Sequence, residues 1–126
     1  MTDPRTHNTQ CPHCGKSFEY QRHHAGFSSQ GFMYCDQDAT VLTWGAWDPR
    51  YRRLTQKFPW MLDSDERHVV EASTLPCPCG GRFGFANPPR CPLCNEELPS
   101  LVPNQIYYVI VGRRIDGDDI DVWLRG

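Results

Sequence analysis

The chain has 126 residues, a formal net charge of −2 and a mean hydropathy of −0.60. That length allows one domain or two very small ones, and no run approaches the roughly 20 apolar residues that a membrane-spanning helix needs. The slightly acidic balance argues against non-specific nucleic-acid binding, which requires excess positive charge.

Residues 1–10 are polar and lack an apolar stretch, so a disordered lead-in without a signal peptide is expected. From 11 to 47 the order reads knuckle, strand, loop, strand, knuckle, strand. Phe18 and Tyr20 alternate with polar residues over 16–22. A Gly/Ser-rich turn covers 26–31, Phe32-Met33-Tyr34 leads into Cys35, and the β-branched run 39–44 makes a third strand. Asp48-Pro49 breaks the pattern and opens a connector, 48–76, that mixes arginines with large apolar side chains. Within it Asp63 and Glu66 have the spacing of a capping box, which predicts a short helix over 64–73. A second knuckle-rich module runs over 77–98, with 82–85 as a hairpin arm and Asn87-Pro88-Pro89 as its turn. After a Pro-flanked linker, 105–112 reads as the strongest strand. Asp116-Gly117 is a turn signal, and 120–124 is placed to return as the second strand of a C-terminal β-hairpin within 99–126.

Seven cysteines fall on two sets with one layout. The first is Cys11-Pro12-His13-Cys14-Gly15 and then Cys35-Asp36-Gln37-Asp38. The second is Cys77-Pro78-Cys79-Gly80-Gly81 and then Cys91-Pro92-Leu93-Cys94. Aligning Cys91 with Cys35 sets Cys94 opposite Asp38, as though the last cysteine of the first set had become an aspartate. Zinc takes four ligands at tetrahedral corners, and two tight turns of thiolates supply them. Each set therefore predicts its own zinc site: Cys11, Cys14, Cys35 and Asp38 in the first, Cys77, Cys79, Cys91 and Cys94 in the second. His23 and His24 are rivals to Asp38, since imidazole with three sulfurs is a common ligand set. The odd cysteine count fits a disulfide framework poorly, and metal-bound thiolates suit a reducing cytoplasm.

Eleven prolines and ten glycines leave a modest core, and a core this small usually needs a staple. Structural zinc contributes about 10–16 kcal/mol in small peptides, comparable to the whole stability of a typical domain. Filling both sites lowers the net charge to about −5, because a four-thiolate site adds two negative charges and a three-thiolate site one.

These knuckles resemble the zinc ribbons, the rubredoxin-like group with CxxC pairs at the tips of facing hairpins. The resemblance covers 11–44 and 77–98, about half the chain, and Cys77-Pro78-Cys79 departs from it by one missing residue. It implies structural or binding modules rather than enzymes. No Ser-His-Asp order, phosphate loop or dinucleotide fingerprint is present, so no catalysis is expected. The acidic run Asp116, Asp118, Asp119 and Asp121 lacks the register of a calcium loop and reads as a solvated turn.

Trp44, Trp47, Arg50, Tyr51, Arg52, Arg53, Lys57, Phe58 and Trp60 interleave basic and aromatic residues. Such a segment suits core packing between two metal modules, a protein interface, or a single-stranded nucleic-acid surface. The expected fold is α+β and β-dominated, with two zinc-ribbon-like modules, one short helix and a C-terminal β-hairpin. The expected function is a non-catalytic adaptor with two structural zinc ions and a protein partner. Nucleic-acid binding through 44–60 is the alternative, and electron transfer with iron in the four-cysteine site is the third reading.

Overall fold

The protein, examined as a computed structural model, is described over residues 6–24, 30–98, 106–110, 113–117 and 123. Its described elements are β1 (Thr6–Gln10), β2 (Ser17–His24), β3 (Gln30–Cys35), β4 (Val41–Gly45), α1 (Pro49–Arg52), a 3-10 turn (Pro59–Met61), α2 (Ser64–Ala72), β5 (Phe83–Gly84), β6 (Ile106–Ile110) and β7 (Arg114–Asp116). The class is the small, β-dominated α+β fold that the sequence implies.

Two sheets carry it. One has the order β1-β2-β6, the other β5-β3-β4-β7. In the first, β1 pairs antiparallel with β2 from Thr6↔Gln21 to Gln10↔Ser17, and β2 pairs antiparallel with β6 from Tyr20↔Ile110 to His24↔Ile106. In the second, β3 and β4 form an antiparallel hairpin, β5 adds to β3 through Cys35↔Phe83, and β7 runs parallel to β4. Residues 6–10 are thus an edge strand rather than a disordered lead-in. Their polarity concealed this, because an edge strand with one hydrogen-bonded neighbour needs few apolar side chains.

In the C-terminal part the described strands divide between the two sheets. β6 joins the first sheet and β7 the second, so this segment ties the sheets together. Most of the proposed return strand at 120–124 lies outside the described residues, but Trp123 forms a bridge with Thr74. Val109 of β6 packs with Tyr34 and Val41 of the other sheet.

The larger core lies on the second sheet, where Met33, Leu42, Trp44, Tyr51, Leu62, Val70, Phe83 and Trp123 cluster. Trp44 and Trp123 meet edge to face at 5.6 Å, a favoured aromatic geometry. The α2 helix starts where its sequence says. The Asp63 carboxylate accepts from the Glu66 N–H at 2.8 Å, and Glu66 accepts in return from the Asp63 N–H. Two of the four orphan amides of the first turn are thereby satisfied. Only Val70 of this helix is buried, so α2 is a thin cover on the sheet.

Candidate metal centres

All seven cysteines are free thiols, and all seven fall, with Asp38, into two groups whose ligand atoms lie within 4.8 Å of one another. The groups are Cys11, Cys14, Cys91 and Cys94, and Cys35, Asp38, Cys77 and Cys79. The eight residues are those read from the sequence, but their partition is not. Each set was expected to close its own site; instead the outermost knuckles pair with each other and the inner two pair inside them. The centres are nested, and no stretch of chain from one set alone completes either.

Strand pairing explains the exchange. The Cys11/Cys14 turn is the tip of the β1–β2 hairpin, in the first sheet, while the Cys35/Asp38 turn is the tip of β3–β4, in the second. Pairing of Cys35 with Phe83 brings the segment after Cys77 and Cys79 alongside Cys35. Asp36 and Arg82 clasp the join: the Asp36 N–H donates to the Arg82 carbonyl at 3.0 Å, and the Arg82 N–H donates to Asp36 Oδ1 at 2.8 Å. At Gly81 an added Cβ would lie 2.7 Å from Cys35 Sγ and 2.8 Å from Asp36 Oδ1, so only glycine permits this approach.

In the outer centre the two knuckles are near copies. Amides of Cys11 and Cys91 donate to the carbonyls of Lys16 and Glu96, both at 2.9 Å, and those of Gly15 and Asn95 donate back to the carbonyls of Cys11 and Cys91, again at 2.9 Å. Gly15 and Asn95 hold matching positive φ values of 74° and 63°, the left-handed conformation that glycine and asparagine tolerate. The amides of His13 and Leu93 point at Cys11 Sγ and Cys91 Sγ, at 3.4 and 3.3 Å, where they spread thiolate charge. His13 itself is exposed, as expected of a residue inside the turn.

The sulfur spacing tests the fit to a metal. An ion with 2.3 Å bonds to sulfur sets tetrahedral edges of about 3.8 Å. Cys11 Sγ lies 3.6 Å from Cys94 Sγ, and Cys14 Sγ lies 3.8 Å from Cys91 Sγ. A disulfide would need about 2.05 Å. In the inner centre Cys35 Sγ and Cys79 Sγ are 3.5 Å apart, and Cys77 Sγ is 3.7 Å from Asp38 Oδ1. Both groups therefore fit a four-coordinate ion.

Protonation follows the crowding. Burial pushes the Cys35, Cys77 and Cys91 thiols up. At Cys94 the Glu96 amide draws the thiol down, but burial and the neighbouring sulfurs of Cys11, Cys91 and Cys14 raise it to about 12. Burial would raise Cys11 too; the amides of Cys14 and His13, with its sulfur neighbours, instead lower it to about 6. One thiolate is thus favoured while others hold their protons, and a divalent ion would displace those protons. Burial opposes ionisation of Asp38, yet the Thr40 amide and hydroxyl hold its carboxyl below the ordinary value.

The rivals to Asp38 lie at the far end of β2 from the Cys11/Cys14 turn. His23 and His24 belong to β2, where their backbone pairs with Tyr107 and Ile106, and their side chains lie outside what is described. The basic-aromatic segment divides. Trp44 and Tyr51 are fully buried, whereas Trp47 is 65% exposed. The Arg52 guanidinium sits 4.5 Å over the Trp47 ring, and Phe58 meets that ring edge to face at 5.7 Å. The side chain of Trp60 lies outside the described set. Sequence periodicity could not separate these aromatics, because a short, irregular helical connector has no fixed inward face.

The chain belongs to a family described as Domain of unknown function (DUF8255), which matches residues 7–100, about three quarters of its length. No curated protein and no solved structure matches it. Among the described residues, no helix is long and apolar enough to cross a membrane.

Proposed function

We propose that the protein is a non-catalytic adaptor in which two zinc ions are structural and a surface formed by exposed Trp47 with the half-buried Arg52 and Phe58 binds another protein. The observation that carries this reading is ligand saturation. Each group supplies four ligand atoms, and a zinc with four protein ligands keeps no position for water or substrate. The near-equivalent Cys11/Cys14 and Cys91/Cys94 knuckles support a zinc-ribbon-like outer centre, assembled from the two ends of the family's matched region. Free thiols throughout suit a reducing compartment such as the cytoplasm.

Trp and Arg are the residues most enriched among interface hot spots. Arg53 beside this stack is exposed, and among the described residues neither Arg52 nor Arg53 forms an ion pair. An acidic segment of a partner protein fits that chemistry. Nucleic acid fits it less well, since Arg50 is held by Asp48 at 2.7 Å and Lys57 by Glu66 at 2.7 Å. Two unpaired cations make few phosphate contacts.

The test is capture of partners by the full-length zinc-loaded protein and by its Trp47→Ala/Arg52→Ala variant, each with and without chelator. A partner held by the wild type and lost in both other conditions is the expected result. Partners retained by the variant, or tight binding of single-stranded RNA at moderate salt, would overturn the surface assignment. The purified protein is expected to be colourless; ferric iron in the four-sulfur centre would make it red and favour electron transfer.

A further inference from the structure

Ile110, the last residue of β6, and Arg113, just before β7, border the two ligand groups. Ile110 packs against Cys11 and Cys91 of the outer centre. Three residues later the Arg113 N–H donates to the Ile110 carbonyl at 2.8 Å, while the Arg113 carbonyl accepts from the Val41 N–H at 2.9 Å, just beyond Asp38. The backbone of Arg113 is thus tied to both neighbourhoods, and its side chain repeats the link. Nη2 donates at 3.4 Å to the carbonyl of Pro92, inside the Cys91/Cys94 knuckle. Nη1 lies 3.9 Å from Asp38 Oδ2.

The two carboxylate oxygens of Asp38 have different further partners. Oδ1 accepts from the Thr40 N–H at 2.9 Å and is the oxygen nearer Cys77 Sγ, at 3.7 Å against 4.0 Å for Oδ2. Both oxygens thus lie within reach of Cys77 Sγ, and Oδ2 also lies 3.9 Å from Arg113 Nη1. Filled by a divalent ion, four thiolates retain two negative charges, and three thiolates with a carboxylate retain two as well. A guanidinium beside a carboxylate favours its charged, metal-ligating form, and with 40% of the Arg113 side chain exposed that pull is partly screened. Among the described residues Arg113 is the cation that pairs with Asp38 and also reaches the outer knuckle, through the Pro92 carbonyl.

We propose that Arg113 is a positioning residue for the inner metal centre: anchored on the Pro92 carbonyl of the outer knuckle, its guanidinium holds the Asp38 carboxylate beside the inner thiols. Outer partners of metal ligands are commonly worth about 10–100-fold in metal affinity. Here the effect falls on the inner ion.

The experiment is stepwise metal titration of the full chain and of Arg113→Gln and Arg113→Lys. Cobalt(II) spectra distinguish a four-sulfur from a three-sulfur, one-oxygen centre, and zinc competition with native mass spectrometry gives the two affinities. For Arg113→Gln the inner ion's affinity should fall about 10–100-fold and a species holding only the outer ion accumulate, with the outer affinity little changed; Arg113→Lys should keep most of the inner affinity. Equal weakening of both centres, or of neither, would overturn the proposal, as would failure of both variants to fold with metal present. The proposal rests on both groups holding a divalent ion. A wild-type titration ending at one ion would break that reading instead, so the two failures are distinguishable.

Discussion

Pairs of cysteine substitutions separate the nested partition from a sequential one, because each pair removes ligands from either one centre or two. Cys14→Ser/Cys91→Ser strikes only the outer centre, and Cys35→Ser/Cys77→Ser only the inner. Each double variant should keep one tightly held zinc. Cys14→Ser/Cys35→Ser damages both centres and should keep none. A sequential arrangement gives the opposite pattern, since Cys14 and Cys35 would then share a site and leave Cys77, Cys79, Cys91 and Cys94 whole.

The stability changes follow from the loops that the ions close. Treated as a cross-link, the Cys14 to Cys91 closure spans 77 residues and removes about 4.5 kcal/mol of unfolded-state entropy at 25 °C. The Asp38 to Cys77 closure spans 39 residues and removes about 3.9 kcal/mol. Either is a large part of the 5–15 kcal/mol typical of a domain. Both single-centre variants should therefore remain folded in the cold and melt well below the wild type by similar amounts, because with the inner loop closed the outer ion closes an effective loop of about the same length. Zinc per chain is read by elemental analysis after desalting, and melting by circular dichroism. One zinc retained by Cys14→Ser/Cys35→Ser, with none retained by Cys14→Ser/Cys91→Ser, would refute the nested partition.

Three further outcomes are expected. Asp38→Ala should weaken the inner zinc selectively in chelator competition, whereas Asp38→Cys should preserve or tighten it; unchanged zinc in Asp38→Ala would remove the proposed ligand. Because the folded-state carboxyl of Asp38 titrates below its ordinary value, its contribution is present above that value and lost only as pH falls through the lower one. An acid titration of Asp38→Asn against wild type should show the difference closing in that window. Gly81→Ala should displace the Cys35 turn and lower inner-centre affinity while sparing the outer zinc, read by site-resolved cobalt spectra. Trp44→Ala should cost about 3–5 kcal/mol in a denaturant titration, against less than about 0.5 kcal/mol for Trp47→Ala; equal costs would contradict the division of the aromatic segment.

The ligands were legible because metal chemistry is local. A knuckle such as Cys11-Pro12-His13-Cys14-Gly15 announces two thiolates and a left-handed turn without reference to the rest of the fold. The capping box at Asp63 and Glu66 was legible for the same reason. Which knuckles meet was not, since four knuckles can pair in three ways and the repeat is compatible with each. The choice is made by strand pairing, Cys35 with Phe83 and Arg22 with Tyr108, between segments tens of residues apart. The edge strand at Thr6–Gln10 escaped notice because one-sided pairing leaves no apolar alternation, and the split of β6 and β7 between sheets leaves no local trace.

Nesting also bears on how the protein can work. In two sequential modules, loss of one metal would leave the other module folded. Here the inner loop lies within the outer one, and β6 and β7 fasten both sheets across the junction where Arg113 sits. Opening the outer centre frees the Cys11/Cys14 hairpin tip and the Cys91/Cys94 turn at once, while the inner centre still holds β3, β5 and the connector behind Trp47. The exposed aromatic surface is carried on the inner-loop side of that division, since residues 47–58 fall between Asp38 and Cys77. Partner binding should accordingly survive loss of the outer ion better than loss of the inner one. That order, measured with Cys14→Ser/Cys91→Ser and Cys35→Ser/Cys77→Ser as baits, ties the metal arrangement to the surface it supports; the reverse order would place the binding face elsewhere.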